Sequence, residues 1–99
     1  MTRDEITQVL LTRAKALKAM GATGLYMFGS RARGDSRPDS DLDLFIDYEE
    51  QKIRPSLLDI VAAENEIGDA LGIPVQLVIR DGLYPEIREQ AESEALKVF

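Results

Sequence analysis

Residues 28–47 read FGSRARGDSRPDSDLDLFID, and the fold turns on how this stretch is read. It is entered by LYMF (25–28), an apolar run between Gly24 and Gly29, the pattern of a buried strand closed by a turn. It leaves through DLDLFID (41–47), where acid and apolar residues alternate with a period near two, as in a strand with one polar face. Between the two lie a Gly-Ser pair, three arginines and a proline. A short helical turn and a hairpin-like return are expected there, bringing both strand ends to one end of a sheet.

Working outward from this hairpin, Thr2 and Glu5 have the spacing of a capping box. Ile6, Val9, Leu10, Leu17 and Met20 then recur at helical spacing up to Gly21, a plausible C-terminal stop. Residues 56–71 predict a second long helix with Leu57, Ile60, Ala63, Ile67 and Leu71 on one side, Ser56 as its cap and Gly72 as its end. IPVQLVI (73–79) is β-branched and apolar enough for a third strand, with Pro74 tolerated near its start. Tyr84, Ile87, Ala91, Ala95 and Val98 trace a last helical stripe, with Pro85 suited to its first turn. The order is helix, strand, helical turn, strand, helix, strand, helix. This predicts an α+β (α/β sandwich) fold of three strands, helices packed on one face and the other face partly open.

With 99 residues, 44% of them hydrophobic, the chain is expected to form one domain over residues 1–99 with one modest core. No apolar run is long enough for a membrane span, and MTRDEITQVL does not resemble a secretory signal. Without cysteine or histidine the sequence has no thiolate or imidazole metal ligands and no histidine base. A cytoplasmic location fits this composition. The net charge of −6 argues against direct nucleic-acid binding, which rests on a basic footprint. Three arginines nevertheless cluster at positions 31, 33 and 37 of this acidic chain, which suits a small anionic ligand better than a polyanion.

Asp41 and Asp43, two apart on a strand, point the same way with Cα atoms roughly 6.6 Å apart, while Leu42 and Leu44 face the core. Paired carboxylates repel unless a cation or protons lie between them. A hard cation such as Mg²⁺ uses one or two carboxylates and completes its shell with water and substrate phosphates. Taken alone, D-x-D also fits an ordinary half-exposed strand with acidic outer residues. At the preceding turn, Gly29 allows close backbone approach, and Ser30 adds a hydroxyl at a helix start that can seat an anion. Arg31, Arg33 and Arg37 could add charge-assisted bonds to phosphate, or simply pair with Asp35 and Asp39. Together, a phosphate seat ending one strand and a carboxylate pair on the next are what nucleotide·Mg²⁺ chemistry requires.

Gly29-Ser30-x-Ala32-Arg33-Gly34 followed by Ser40-Asp41-Leu42-Asp43-Leu44 resembles the GSxARG…SDxDL signature of the polymerase-β-like nucleotidyltransferases. Within them the chain is similar to the small stand-alone subgroup, the minimal nucleotidyltransferases (MNT). The ending LYPEIREQAESEALKVF resembles that subgroup's last helix. The resemblance implies a mixed sheet, Mg²⁺ held by Asp41 and Asp43 as the catalytic pair, and ATP seated by Gly29, Ser30 and Arg33. It implies transfer of a nucleotidyl group, AMP, to a hydroxyl with release of pyrophosphate. Members of the subgroup often pair with a HEPN-domain toxin protein, acting as its antitoxin by AMPylating it. Larger relatives carry a helical domain that presents the acceptor, so here another chain is expected to supply it.

One position departs from the pattern. The family's third carboxylate usually lies on a later strand in a context like P-V-D-L-V, and here Pro74-Val75-Gln76-Leu77-Val78 puts a glutamine in its place. Gln76 could serve as a weak third ligand, but it is neutral and cannot take a proton from an attacking hydroxyl. Losing a charge beside a metal is worth several kcal/mol of attraction. Asp47 and Asp81 lie too far along their strands to substitute, and Asp35 and Asp39 remain open. Two functions follow: an active transferase using Asp41 and Asp43, or a catalytically weakened nucleotide-binding antitoxin that neutralises its partner by docking.

Overall fold

A computed structural model describes residues 1–51 and 54–99. Four strands form one mixed sheet in the order β3-β2-β1-β4. They are β1 (Ala22–Phe28), β2 (Leu42–Tyr48), β3 (Val75–Ile79) and the short β4 (Leu96–Lys97). β1 runs antiparallel to both β2 and β4, while β2 and β3 are parallel. The expected hairpin is therefore β1–β2, and the parallel pair is made by the crossover through the long helix, as parallel strands require.

The helices are α1 (Arg3–Thr12), α2 (Ala14–Ala19), the single turn α3 (Ser30–Arg33), α4 (Leu57–Leu71) and α5 (Pro85–Glu94), with a 3-10 turn at Arg80–Gly82. Thr2 and Glu5 close a capping box at the start of α1, and Ser56 caps α4. Gly72, at φ 71°, ends α4 in the left-handed region that favours glycine. The first helix differs from its expected single span, because it breaks at Arg13 into α1 and α2. Leu57 also differs. It is 75% exposed at the first turn of α4, so the stripe facing the sheet begins at Ile60.

Period-two alternation divides the sheet's two faces. Leu25 and Met27 of β1, Leu42, Leu44 and Ile46 of β2, and Leu77 and Ile79 of β3 pack with Ile6, Leu10, Leu17, Ile60, Ile67 and Leu71 of α1, α2 and α4. The opposite face is only partly covered, by α5. There Phe45 is fully buried with Leu83 and Ala91, bordered by Tyr26, Phe28, Val78 and Ala95. Phe45 stacks on Tyr26 at 4.9 Å between ring centroids and meets Phe28 at 5.6 Å. The Arg80 guanidinium lies over both Phe45 and Tyr26, at 4.8 and 5.0 Å, and bonds Asp47 and Glu92 at 3.0 Å each. A buried aromatic in such a cluster stabilises by about 3–5 kcal/mol relative to alanine, so α5 is fastened to this face by packing as well as charge.

The C-terminal stripe is where the structure departs most from periodicity. The helix ends at Glu94, Ala95 is extended (φ −64°, ψ 135°), and Leu96–Lys97 pair with Met27 and Tyr26. Val98 N donates to Leu25 O at 2.8 Å and Leu25 N donates to Phe99 O at 3.1 Å. Without this segment β1 would present an edge of unpaired backbone groups. Val98 and Phe99 leave the α5 side altogether and pack against the larger core on the opposite face. At the other edge, the Glu64 carboxylate accepts from Leu77 N at 2.8 Å and partly blunts β3.

Candidate functional site

β1 ends at Gly29, whose backbone takes φ 77° and ψ −160°, a conformation that costs a side-chain-bearing residue strain. Its Cα faces the Asp43 side chain. A Cβ built on Gly29 would collide with an Asp43 carboxylate oxygen and lie 3.2 Å from its Cγ. The glycine is therefore required twice, by dihedral and by space. Register brings the rest of the site to this point: Phe28 pairs with Asp43 across β1–β2, and Asp43 pairs with Gln76 across β2–β3. Paired residues share a face, so Gln76 stands beside Asp43 on the α5 side of the sheet.

Asp41 lies just before β2 rather than within it, and it is exposed; Asp43 is half-buried. Burial raises the Asp43 pKa above the ordinary carboxylate value, and the neighbouring Asp41 charge raises it further. Arg33 opposes that shift and Glu94 adds to it. The two acids are thus electrostatically coupled, and one of them holds its charge at a cost.

Ser30 opens α3 and is half-buried. Arg33 projects from the same turn, its guanidinium bonded to Asp35 at 3.1 Å and to both oxygens of Glu94 at 3.1 and 3.0 Å. Glu94 first and then Asp35 hold Arg33 more firmly protonated than usual. Arg31 does something different from the phosphate contact considered for it. It is 5% exposed, and its guanidinium donates to the carbonyls of Ser40 at 2.9 Å and Pro38 at 3.3 Å, so it braces the loop that delivers Asp41. Arg3 Nη1 donates to Ala32 O at 2.8 Å and ties α1 to the end of α3.

The other acids fall as their distance along the strands suggested. Asp47 pairs with Arg80 at the far end of β2, and Asp81 approaches the Tyr48 hydroxyl at 3.4 Å. Asp35 borders the site through its carboxylate on Arg33 and through its backbone N–H, which donates to Ser30 O at 3.1 Å. The residue that sequence reasoning missed is Glu94. Its Oε1 accepts from Gly29 N at 2.9 Å across 65 positions of sequence. It is an acid at the C-terminal end of a helix, against the helix dipole and with no basic residue in that last turn. That signal was hidden while the helix was expected to continue past it.

The donor set decides which metal would fit. Among the described residues no group of three or more acid, histidine or cysteine side chains converges. A cation caged by protein alone does not fit. Two coupled carboxylates with an adjacent amide suit a hard ion that takes its remaining ligands from phosphate and water.

Residues 10–98 match the family model described as a nucleotidyltransferase domain. A protein of Thermococcus cleftensis named protein adenylyltransferase MntA is 33% identical over 99 residues, spanning 99% of this chain and 97% of that one. A solved structure, proposed to be a minimal nucleotidyltransferase, is 37% identical with a TM-score of 0.71, covering 97% of this chain and 95% of its own. The fold is also shared with a chain from a solved complex of tri-AMPylated Shewanella oneidensis HEPN toxin with MNT antitoxin. That match has 14% identity and a TM-score of 0.68, covering 95% of this chain and 71% of the other.

Proposed function

This chain belongs to the nucleotidyltransferase domain family, and from that premise we propose that it is a Mg²⁺-dependent protein adenylyltransferase of the minimal type. In this reading it moves AMP from ATP to a hydroxyl of a HEPN-domain toxin protein and so serves as that toxin's antitoxin, with residues 1–99 as one minimal domain. The observation that carries the reading is the seating of Gly29 against Asp43, which joins a phosphate-type turn to a coupled acid pair at one end of the sheet. The adenylyltransferase named among its relatives supports the reaction class, and the AMPylated toxin in a complex of the same fold supports the choice of partner.

In this account Gly29 N–H, Ser30 and Arg33 donate to phosphate oxygens, which fixes the triphosphate over the acid pair. Asp41 and Asp43 would hold the cation, with Gln76 as a neutral, weaker third ligand. Mg²⁺, when bound, offsets the charge that develops on the transferring and leaving phosphates. The attacking hydroxyl oxygen bonds the α-phosphorus, the bond to pyrophosphate breaks, and pyrophosphate leaves. The hydroxyl proton goes to a carboxylate or to solvent, since Gln76 cannot accept it. The same reading takes the protein to be cytoplasmic, where ATP is at hand. Among the described residues no helix is long and apolar enough to cross a membrane.

The test is transfer of label from α-labelled ATP to a HEPN-domain toxin incubated with this protein, the product of the neighbouring gene being the first to try. Label on the toxin supports the reading, and its absence under conditions where the toxin is neutralised contradicts it. The register of Gln76 against Asp43 favours one alternative, a weakened nucleotide-binding antitoxin that acts by docking. The two differ in whether neutralisation survives replacement of Asp43. Gln76→Asp is expected to tighten Mg²⁺ binding in the presence of ATP by about tenfold or more, because it restores a charge beside the ion. Calorimetry showing unchanged or weaker binding would remove Gln76 from the site.

A further inference from the structure

The backbone N–H of Gly29 and the guanidinium of Arg33 are two of the donors assigned above to phosphate, and one side chain of this protein already occupies both. Glu94 Oε1 accepts from Gly29 N at 2.9 Å, and its two oxygens accept from Arg33 Nη1 at 3.1 and 3.0 Å. The side chain is only 14% exposed, so this is a built contact rather than a chance surface pair. A carboxylate and a phosphate edge offer the same thing to such donors: two anionic oxygens that accept in parallel. We propose that Glu94 is a further residue of the site, an internal occupant of the phosphate seat that incoming nucleotide must displace.

Two features of the chain support this role over a purely structural one. Glu94 is the last residue of α5, where the helix dipole disfavours an acid and no basic residue stands in the final turn. Its position is therefore compensated almost wholly by Gly29 N–H and Arg33. It also adds a third negative charge near Asp41 and Asp43, against one nearby arginine. A phosphate that takes over the two donors frees Glu94 to turn toward solvent, which relieves that crowding. Nucleotide affinity in this picture is set by an exchange of anions on fixed donors, not by filling an empty seat.

The proposal rests on the nucleotide seat itself, so its test separates the two. Inorganic tripolyphosphate without metal, and ATP with Mg²⁺, are titrated calorimetrically into the native protein, Glu94→Gln and Glu94→Ala, with thermal melts confirming that each is folded. Both variants are expected to bind tripolyphosphate about tenfold more tightly than the native protein. In the native protein, the Gly29 amide resonance should shift on tripolyphosphate addition as its acceptor changes; this readout does not depend on either variant folding. Native binding that is unchanged or weakened in the folded variants overturns the competitor role and leaves the nucleotide seat standing, whereas a Gly29 amide that does not respond while ligand binds overturns the competitor role and also removes Gly29 from the seat. Absence of binding in all three proteins overturns both.

Discussion

Replacing Asp43 by asparagine is expected to cut transfer of label from ATP to the partner by roughly 10³-fold, the equivalent of about 4 kcal/mol of transition-state stabilisation. The same change should stabilise the free protein. Asp43 is half-buried beside Asp41, and both burial and that neighbour make its charged form unfavourable. A neutral side chain of the same shape escapes this cost, and the expected gain is about 0.5–1 kcal/mol, kept small because the group is partly screened by solvent. The gain has a pH dependence of definite sign. Above the raised pKa of Asp43 the native protein carries the unfavourable charge and the variant does not. As pH falls through that pKa, the native side chain takes up a proton and the two stabilities converge. Urea denaturation of both proteins at several pH values measures the gap. A variant that loses transfer and also loses stability would mean that the Asp43 charge supports the fold.

The second large effect belongs to Gly29→Ala. Its Cβ would meet the Asp43 carboxylate, and φ 77° is strained for alanine in any case. Backbone strain of this kind costs about 1–3 kcal/mol, and the collision adds to it unless Asp43 turns away. Gly34→Ala is a control for the positive φ alone, because Gly34 lies in the left-handed helical region (φ 88°, ψ 13°), which alanine tolerates at lower cost than the Gly29 conformation (φ 77°, ψ −160°), and a Cβ there meets nothing within 4 Å. It should lose less stability than Gly29→Ala. The part of the Gly29→Ala loss that an accompanying Asp43→Ala relieves reports the Gly29–Asp43 contact, and nucleotide binding should vanish in Gly29→Ala and persist in Gly34→Ala. Equal losses from Gly29→Ala with and without Asp43→Ala would mean that Asp43 gives way freely and that the contact does not organise the site.

Legibility from sequence followed the range of the interactions. Gly29, Asp41 and Asp43 sit in one hairpin, so local period and spacing placed them together before any coordinates. The Gln76 position followed from strand phase, and the parallel register puts it beside Asp43. The ending was misread for a physical reason. Ala95 and Val98 keep a 3.6-residue period with Tyr84, Ile87 and Ala91, yet the open edge of β1 takes residues 96–97 as a strand. Local periodicity carries no information about a vacant sheet edge seventy residues earlier in the chain. Leu57 shows the reverse case, a residue in phase with its helix that opens the first turn of α4 and stays exposed. Glu94 was illegible on both counts, since it was expected in mid-helix and its partners are Gly29 and Arg33.

Arg31 carries a related lesson about charge. Three arginines in seven residues invited a phosphate reading for each, but burial separates them. Arg31 spends its guanidinium on loop carbonyls, whereas Arg33 stays at the surface beside Gly29. Counting cations therefore overstated the proposed anion seat, which in our reading draws on Gly29 N–H, Ser30 and Arg33 and not on Arg31.

Isothermal titration of the native protein with ATP, with and without Mg²⁺, most directly tests whether the glycine turn and the acid pair form one site. The account predicts saturable binding at one nucleotide per chain that strengthens with Mg²⁺ and loses that strengthening in Asp43→Asn. Heat indistinguishable from dilution under both conditions, or a Mg²⁺ effect unchanged in Asp43→Asn, would contradict it.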